Sequence, residues 1–469
     1  MPRKVAKRRR SNLAAASSPN HGEATTRKVL RRHKFHLKQE DFAPVVEADR
    51  CLTCGEGEQL GHPGRNQTRK PRAIDTLDEK LRFVDACAGG VHSLILSSDG
   101  RVFSCGCNEK GTVPVNGLEA EGITDEFTEI SFTEEIKAHG KLVQLAAGAS
   151  FSAALTDKGS VVAWGNLRDS QGDVTSHTQL SQMQKGPVVI VQHSKIVIVK
   201  IAAGENHLAM LSSEGELLTF GEGSMGQLGR LARSNHIRSS YMADDSGKHL
   251  KLNVLENGKL VKFQNVFAGG FWTIASSEDG RLFACGLNNY AQLGLPLPTT
   301  EETHPSDSEQ METDEKDYRI TRLTHVKAFD SEYKWTHIAG VQHLVLRNEN
   351  GEVFAIGKNT DNILGLGTWK GRDDTEFWRY DKLQKVIFPE GVKIAGVNAS
   401  LACTIAWTDE GESYSFGFDS AGQLGLGIKD DEEKIVPTPR KIQSAHLDDY
   451  KVLRVSVADQ HAVFLAQHK

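Results

Sequence analysis

Two short stretches invite a chemical reading. Cys51-Leu-Thr-Cys54 has the CxxC spacing that suits a zinc ion, and Cys105 and Cys107 would complete four sulfur ligands. Gly221-Glu-Gly-Ser-Met-Gly226 matches GxGxxG, a spacing at which backbone N–H groups receive a pyrophosphate. The surroundings argue against both. Cys54, Cys105 and Cys285 each precede a glycine, and the same slot elsewhere holds Phe220, Trp164, Ile356 and Phe416, so they read as small core residues closing a strand. The glycine run continues as QLGR, and related turns recur as GEGEQLG, NNYAQLG and DSAGQLGLG, whereas a dinucleotide site occurs once, ahead of a helix. His92, His207, His343 and His461 also recur in one slot, replaced at Phe151, Trp272 and Ala399, which is the pattern of a packing position. No Ser/His/Asp grouping, P-loop or paired carboxylates stand out. The residues predict no metal, no cofactor and no bond-making chemistry, and leave binding as the function.

The elements that carry these slots form a repeat. AGENHLAMLSSEGELLTFG at 203–221 returns as AGGVHSLILSSDGRVFSCG, AGASFSAALTDKGSVVAWG, AGGFWTIASSEDGRLFACG and AGVQHLVLRNENGEVFAIG. The glycine of the AGxxH-like segment falls at Gly89, Gly148, Gly204, Gly269, Gly340 and Gly396, with Ala458 in the seventh place. That spacing, about 60 residues, fills the chain after its first 42 residues with seven units. Each unit reads as a hairpin: an apolar run, a turn such as SSDG or TDKG, and a second strand ending in Gly. An apolar run before each AG gives a further strand. The fold expected is all-β, a seven-bladed β-propeller. ADRCLTCGEGEQLG and VADQHAVFLAQHK are complementary fragments of one unit, so the first and last strands are expected to share the closing blade.

Composition sets the partners. The net charge of −5 is divided: residues 1–42 hold five Lys and seven Arg against three acids, which leaves the rest strongly acidic. A basic arm on an acidic body predicts an anionic polymer for the arm and a basic surface for the body. No apolar run approaches the ~20 residues of a membrane span, and MPRKVAKRRR lacks the apolar segment of a secretory signal. A soluble intracellular chain with no membrane partner is expected.

Function in a propeller sits where the units differ. The division expected is a basic, disordered arm over 1–44 and the propeller over 45–469, with an excursion at 166–187 and an acidic, disordered insertion at 297–317. The arm carries Lys4, Lys7, Arg8, Arg9 and Arg10, then Arg31, Arg32 and Lys34, which read as nuclear import or DNA contact. The excursion follows Trp164-Gly165 as NLRDSQGDVTSHTQLSQMQKGP, and a further loop after GQLGR reads LARSNHIRSSYMADDSGKHL.

With these departures, residues 48–469 resemble the regulator of chromosome condensation family, chromatin-bound exchange factors for the small GTPase Ran. WGNLRDSQG is similar to the family's WG-x-aromatic-R-D-N-N-G, with Leu167 in the aromatic slot. The resemblance implies that Leu167, Arg168, Asp169, Ser170, Gln171 and Gly172 form a wedge pressed against the GTPase. It implies that the loops at Ala149, Glu205, Asn206 and Gln342 face the same partner. Arg233 and Arg238 would grip the histone acidic patch of a nucleosome, while the arm meets DNA phosphates and import receptors. The function expected is a nuclear, chromatin-associated guanine-nucleotide exchange factor.

This chain departs from the family in its loop acids. The resemblance calls for Asp where Ala149 and Asn206 stand and for His where Gln342 stands, with Glu205 as a compensating acid beside Asn206; the shorter first turn, GEGEQLG, loses a further Asp or leaves Glu58 standing in for it. The alternative is therefore a diverged chromatin scaffold with weak or no exchange activity. A cytoplasmic propeller serving another partner would leave the arm unexplained.

Overall fold

Six of the repeat turns close on a glycine: Gly100, Gly159, Gly215, Gly280, Gly351 and Gly411 all have φ between 71° and 93°. That left-handed region is open to glycine without strain, which lets each apolar run fold back on itself. The computed structural model describes residues 35–169, 172–173, 178–230, 251–298 and 318–469. Residues 36–469 form one unit. The Lys and Arg clusters of the arm, Arg233, Arg238 and the insertion from 299 to 317 lie outside the described residues, as do Ser170 and Gln171.

The hairpins grow into seven four-stranded antiparallel sheets, a seven-bladed β-propeller as the repeat predicts. Blade one runs Phe83–Ala88, His92–Ser97, Val102–Cys107 and Ile123–Glu129 from the axis outward. Blades two to six begin at their inner strands, Leu142–Ala147, Ile198–Ala203, Phe263–Gly269, Trp335–Ala339 and Ile394–Ala399. Blade seven takes Tyr450–Val457 and His461–His468 from the end of the chain and Arg50–Glu56 and Gln67–Ala73 from its beginning. Cys51 pairs with Leu465 and Cys54 with Ala462 across that seam. The expected closure is thus formed, and it removes the free sheet edge that an open array would leave.

Apolar side chains fill the spaces between blades. Trp164 of blade two packs with Leu94, Leu96 and Val102 of blade one, and Trp272 of blade four packs with Leu344 and Ile356 of blade five. Both indoles are fully buried. The cysteines behave as core residues. Cys54, Cys105 and Cys285 are fully buried, and their thiols donate to the carbonyls of Gln423, Gln59 and Gln227 in the QLG turns.

Three of the recurring histidines latch one blade to the next, while both ring nitrogens of His343 are buried without a partner. His92 Nε2 lies 2.7 Å from Ser152 Oγ of blade two, His207 Nε2 lies 3.0 Å from Thr273 Oγ1 of blade four, and His461 Nε2 lies 2.8 Å from Ser93 Oγ of blade one. The sixth unit requires a correction. Ala399 pairs with Thr404 as Ala147 pairs with Ser152, so Ser400, and not Gly396, occupies the Gly148 position. Cys403, and not Ala399, then stands in the histidine slot. The AG dipeptide of KIAGVNAS lies inside the strand, where Trp407 covers Gly396.

Residues 36–44, assigned above to the end of the arm, pack on the propeller. The Leu37 N–H donates to Ser213 O, and Gln39 Nε2 donates to Thr156 O and Ile198 O. Backbone acceptors at the ends of blades two and three give this segment its partners.

Candidate functional site

Strand direction sorts the loops. Because strands alternate in direction, the links from inner to second strand and from third to outer strand emerge on one face. The AGxxH loops and the excursion after Gly165 therefore share that face. The SSDG-type turns and residues 36–44 lie on the other.

The AGxxH loops are joined around the axis. Gly90 N donates to Gly148 O at 3.1 Å, Ala149 N to Glu205 O at 2.8 Å, and Glu205 N to Gly270 O at 3.0 Å. Farther round, Leu401 N donates to Asp459 Oδ1 at 3.1 Å. Burial, with the charge of Asp459 adding, pushes the Glu205 carboxyl up to about 7. Asp459 occupies the first x of VADQH and is exposed, an acid on this ring that the motif search passed over. Ala149 contributes only a methyl group beyond its backbone. Gln342 Oε1 accepts from Lys358 Nζ at 2.8 Å, so this amide is already tied to its own blade. Glu58 lies in a short 3-10 turn beside blade seven, Glu58–Leu60.

The excursion begins as a two-stranded ribbon in which Arg168 pairs with Asp173 and Asp169 with Gly172. A short helix, Thr178–Met183, follows before the outer strand Val188–Val191. Leu167 is 2% exposed and packs with Leu180, Met183 and Phe220. Its aliphatic side chain is withdrawn from the surface, so it roots the ribbon instead of presenting an apolar contact.

Polar bonds hold the root to three blades. The Arg168 N–H donates to Asn206 Oδ1 of blade three at 3.2 Å. The Arg168 guanidinium pairs with Glu109, which follows the third strand of blade one. The other Glu109 oxygen accepts from Ser150 Oγ at 2.7 Å, and Ser150 O accepts from Asn166 N at 2.6 Å. Gln184 Nε2 donates to Asn166 Oδ1 at 2.9 Å. Glu109 is 14% exposed and Arg168 44%, so the acid is fixed while the guanidinium remains half in solvent. The structure thus brings Arg168 and Asn206 together directly, with Ala149 in the adjoining loop. Glu109 and Ser150 were not found from the sequence, since no motif marks a residue that acts through a neighbouring blade.

The arrangement is a set of hydrogen bonds and one ion pair that join three blades. Among the described residues no cluster of His, Cys, Asp or Glu could hold a metal ion. It offers a braced ribbon beside a ring of loops, which suits recognition of another macromolecule.

Comparison with known proteins gives the family. Residues 50–464 match the RCC1-like domain. The chain is 30% identical over 474 residues to the human regulator of chromosome condensation, covering 100% of this chain and 99% of the relative. It is 24% identical to the guanine nucleotide exchange factor SRM1 of Saccharomyces cerevisiae, over 94% of this chain and 93% of that one. The crystal structure of Prp20p from Saccharomyces cerevisiae, described with its binding properties to Gsp1p and histones, superimposes with a TM-score of 0.75 at 22% identity, covering 93% of this chain and 96% of that one. Match over nearly the whole propeller, with full-length coverage of the human relative, shows that the chain belongs to the regulator of chromosome condensation family.

Proposed function

We propose that this protein is a chromatin-associated guanine-nucleotide exchange factor for a Ran-like GTPase, working in the nucleus. The observation that carries the reading is the ribbon at 168–173, held by Asn206 and Glu109 beside the loop ring. An exchange factor breaks no covalent bond. It binds the nucleotide-free GTPase more tightly than the loaded form, and only that difference accelerates release. A braced ribbon suits this task, because a loose one would lose binding energy to its own ordering. Glu205 and Asp459 supply acids on the same face for Lys and Arg of the GTPase.

The basic arm, with Lys7 to Arg10 and Arg31, Arg32 and Lys34, is assigned to DNA phosphates and import receptors, and Arg233 and Arg238 to the histone acidic patch. Relatives support these partners: one is named an exchange factor, and another is described with Gsp1p and histones.

A second reading, a chromatin scaffold without exchange activity, draws on Ala149 and on the uncharged amide of Asn206. Release of a fluorescent guanine nucleotide from purified Ran separates the two. Substoichiometric protein should drive many turnovers above the intrinsic rate. No acceleration by folded, nucleosome-binding protein would overturn the exchange reading in favour of the scaffold.

A further inference from the structure

The propeller axis is a channel of 980 Å³, lined by the inner strands and bordered by residues 41–46. One register position, the third residue of each inner strand, places Asp85, Gln144, Lys200, Asn265, His337 and Gly396 in blades one to six. Arg454 occupies the matching place in blade seven, since it pairs with Leu465 as Gln144 pairs with Leu155. The repeat itself does not specify these residues, and the proposed GTPase face does not use them.

The side-chain oxygens of Asp85, Gln144 and Asn265, and of Asn398 two residues along from Gly396, accept backbone N–H groups. Gln144 Oε1 accepts from Ile201 N at 3.0 Å, Asn265 Oδ1 from Val266 N at 2.9 Å, and Asn398 Oδ1 from Val457 N at 2.8 Å. Asp85 accepts from Ala86 N and Leu145 N, both at 2.8 Å. These bonds cap the free N–H edge of the innermost strands. The amide NH2 groups of Gln144, Asn265 and Asn398 are left without a protein acceptor among the described residues, and all three residues line the channel. The side-chain chemistry offered to the lumen is therefore biased toward donors.

Charge is biased the same way. Arg454 pairs with Asp85 at 3.0 Å. Lys200 Nζ donates to Asn265 Oδ1 at 2.5 Å and lies 4.6 Å from the Phe267 ring centre and 5.4 Å from that of Phe42. Among the described residues it has no carboxylate partner. His337, which also lines the channel, is held neutral, its pKa lowered to about 3 by burial. The remaining charged lining residues, Asp41, Asp409 and Lys334, are exposed. The inner ring thus holds two cations and one acid, with Arg454 40% exposed and Lys200 partly exposed to the lumen.

We propose that this channel binds a small oxyanion of the phosphate class, held by Lys200 and Arg454 and by the amide N–H groups of Gln144, Asn265 and Asn398. The anion balances the second cation and accepts from amide groups that otherwise face solvent in the lumen. Burial, with the Arg454 charge adding, lowers the Lys200 ammonium to about 7, and an anion beside it would favour the charged form. The site is independent of the exchange reading.

The test uses the full chain and its Lys200→Gln variant. Glutamine fills the same register position in blade two, so the variant suits the ring geometry. Inorganic phosphate, compared with chloride at equal ionic strength, should raise the melting temperature of the wild type, and Lys200→Gln should lose at least half of that rise. Contacts between phosphate and the basic arm are unchanged in the variant and cancel in the difference. Crystals of the wild type soaked in selenate should show an anomalous peak in the channel beside Lys200 and Arg454, a result that stands even if the variant folds poorly. An equal phosphate effect in a folded variant, or a channel without the selenate peak, would overturn the proposal.

Discussion

The Arg168 N–H and Asn206 Oδ1, 3.2 Å apart, join the base of the ribbon to the AGxxH loop of blade three. The bond needs an acceptor at 206 and not a charge. Asn206→Ala removes it, and loss of a bond of about 1 kcal/mol should slow exchange roughly fivefold. Asn206→Asp keeps the acceptor and adds a charge, which makes such a bond roughly twice as strong, so exchange should equal or exceed that of the wild type. Nucleotide release from Ran under kcat/KM conditions measures both. A slower Asp variant would show that position 206 serves the ribbon in some other way.

Glu109 fixes Arg168 from the neighbouring blade while holding Ser150. Glu109→Gln keeps the shape and removes the ion pair. Amide hydrogen exchange at 168–173 should quicken severalfold, while the inner strands of blades one and two stay protected. Equal protection in the variant would show that the backbone bonds alone brace the ribbon.

Acid should destabilise the buried histidines, three of which latch one blade to the next. Burial lowers His92, His343 and His461 to about 3 and His207 to about 4. All four are neutral when folded, but they take up protons on unfolding below about 6.5. Their contribution is therefore complete above that pH and is lost as pH falls toward the folded values. Denaturant midpoints should drop steeply between pH 6.5 and 4. His92→Phe, which copies the side chain at Phe151, should flatten that slope by up to about one proton.

Asp419 offers the opposite sign. The equivalent slot holds Asn108, Asn288 and Asn359, whose Oδ1 atoms accept from Val113 N, Leu293 N and Leu364 N, while their amide groups donate to loop oxygens. Asp419 Oδ1 accepts from Leu424 N, but its buried Oδ2 has no partner. Burial raises its pKa, opposed by the Leu424 N–H and the Lys434 charge. The folded state thus disfavours ionisation, and stability is lost as pH rises through the ordinary carboxylate range toward the raised value. Asp419→Asn should stabilise the protein near neutrality by about 1–3 kcal/mol, with the gain shrinking in acid. Denaturant unfolding at pH 7 and pH 4 checks both the sign and its pH dependence.

The arm is expected to act through charge. If Lys7 to Arg10 meet DNA phosphates, neutralising one of them should weaken binding equally on all DNA sequences and reduce the salt slope by about 0.9. Fluorescence anisotropy with two unrelated duplexes across a salt series measures this, and a sequence-dependent loss would point to base contacts instead.

What the sequence determined by itself is the unit and its number. Glycine turns, the strand runs around them and the split unit at the two ends are local signals, and they predict the seven blades and the closure at Cys51 and Cys54. Even there, one local cue misled: the AG of KIAGVNAS lies four residues before the true loop position at Ser400, because dipeptide identity says nothing about which residue opposes Thr404. The tertiary structure decided everything that passes between blades. His92 meets Ser152 across 60 residues, and His461 meets Ser93 across 368. Asn206 reaches Arg168 and Glu109 reaches Ser150 in the same manner, and the channel gathers single residues from separate blades. Periodicity encodes contacts within a repeat, but contacts between repeats depend on the angle at which the ring closes, and closure is a property of the whole chain.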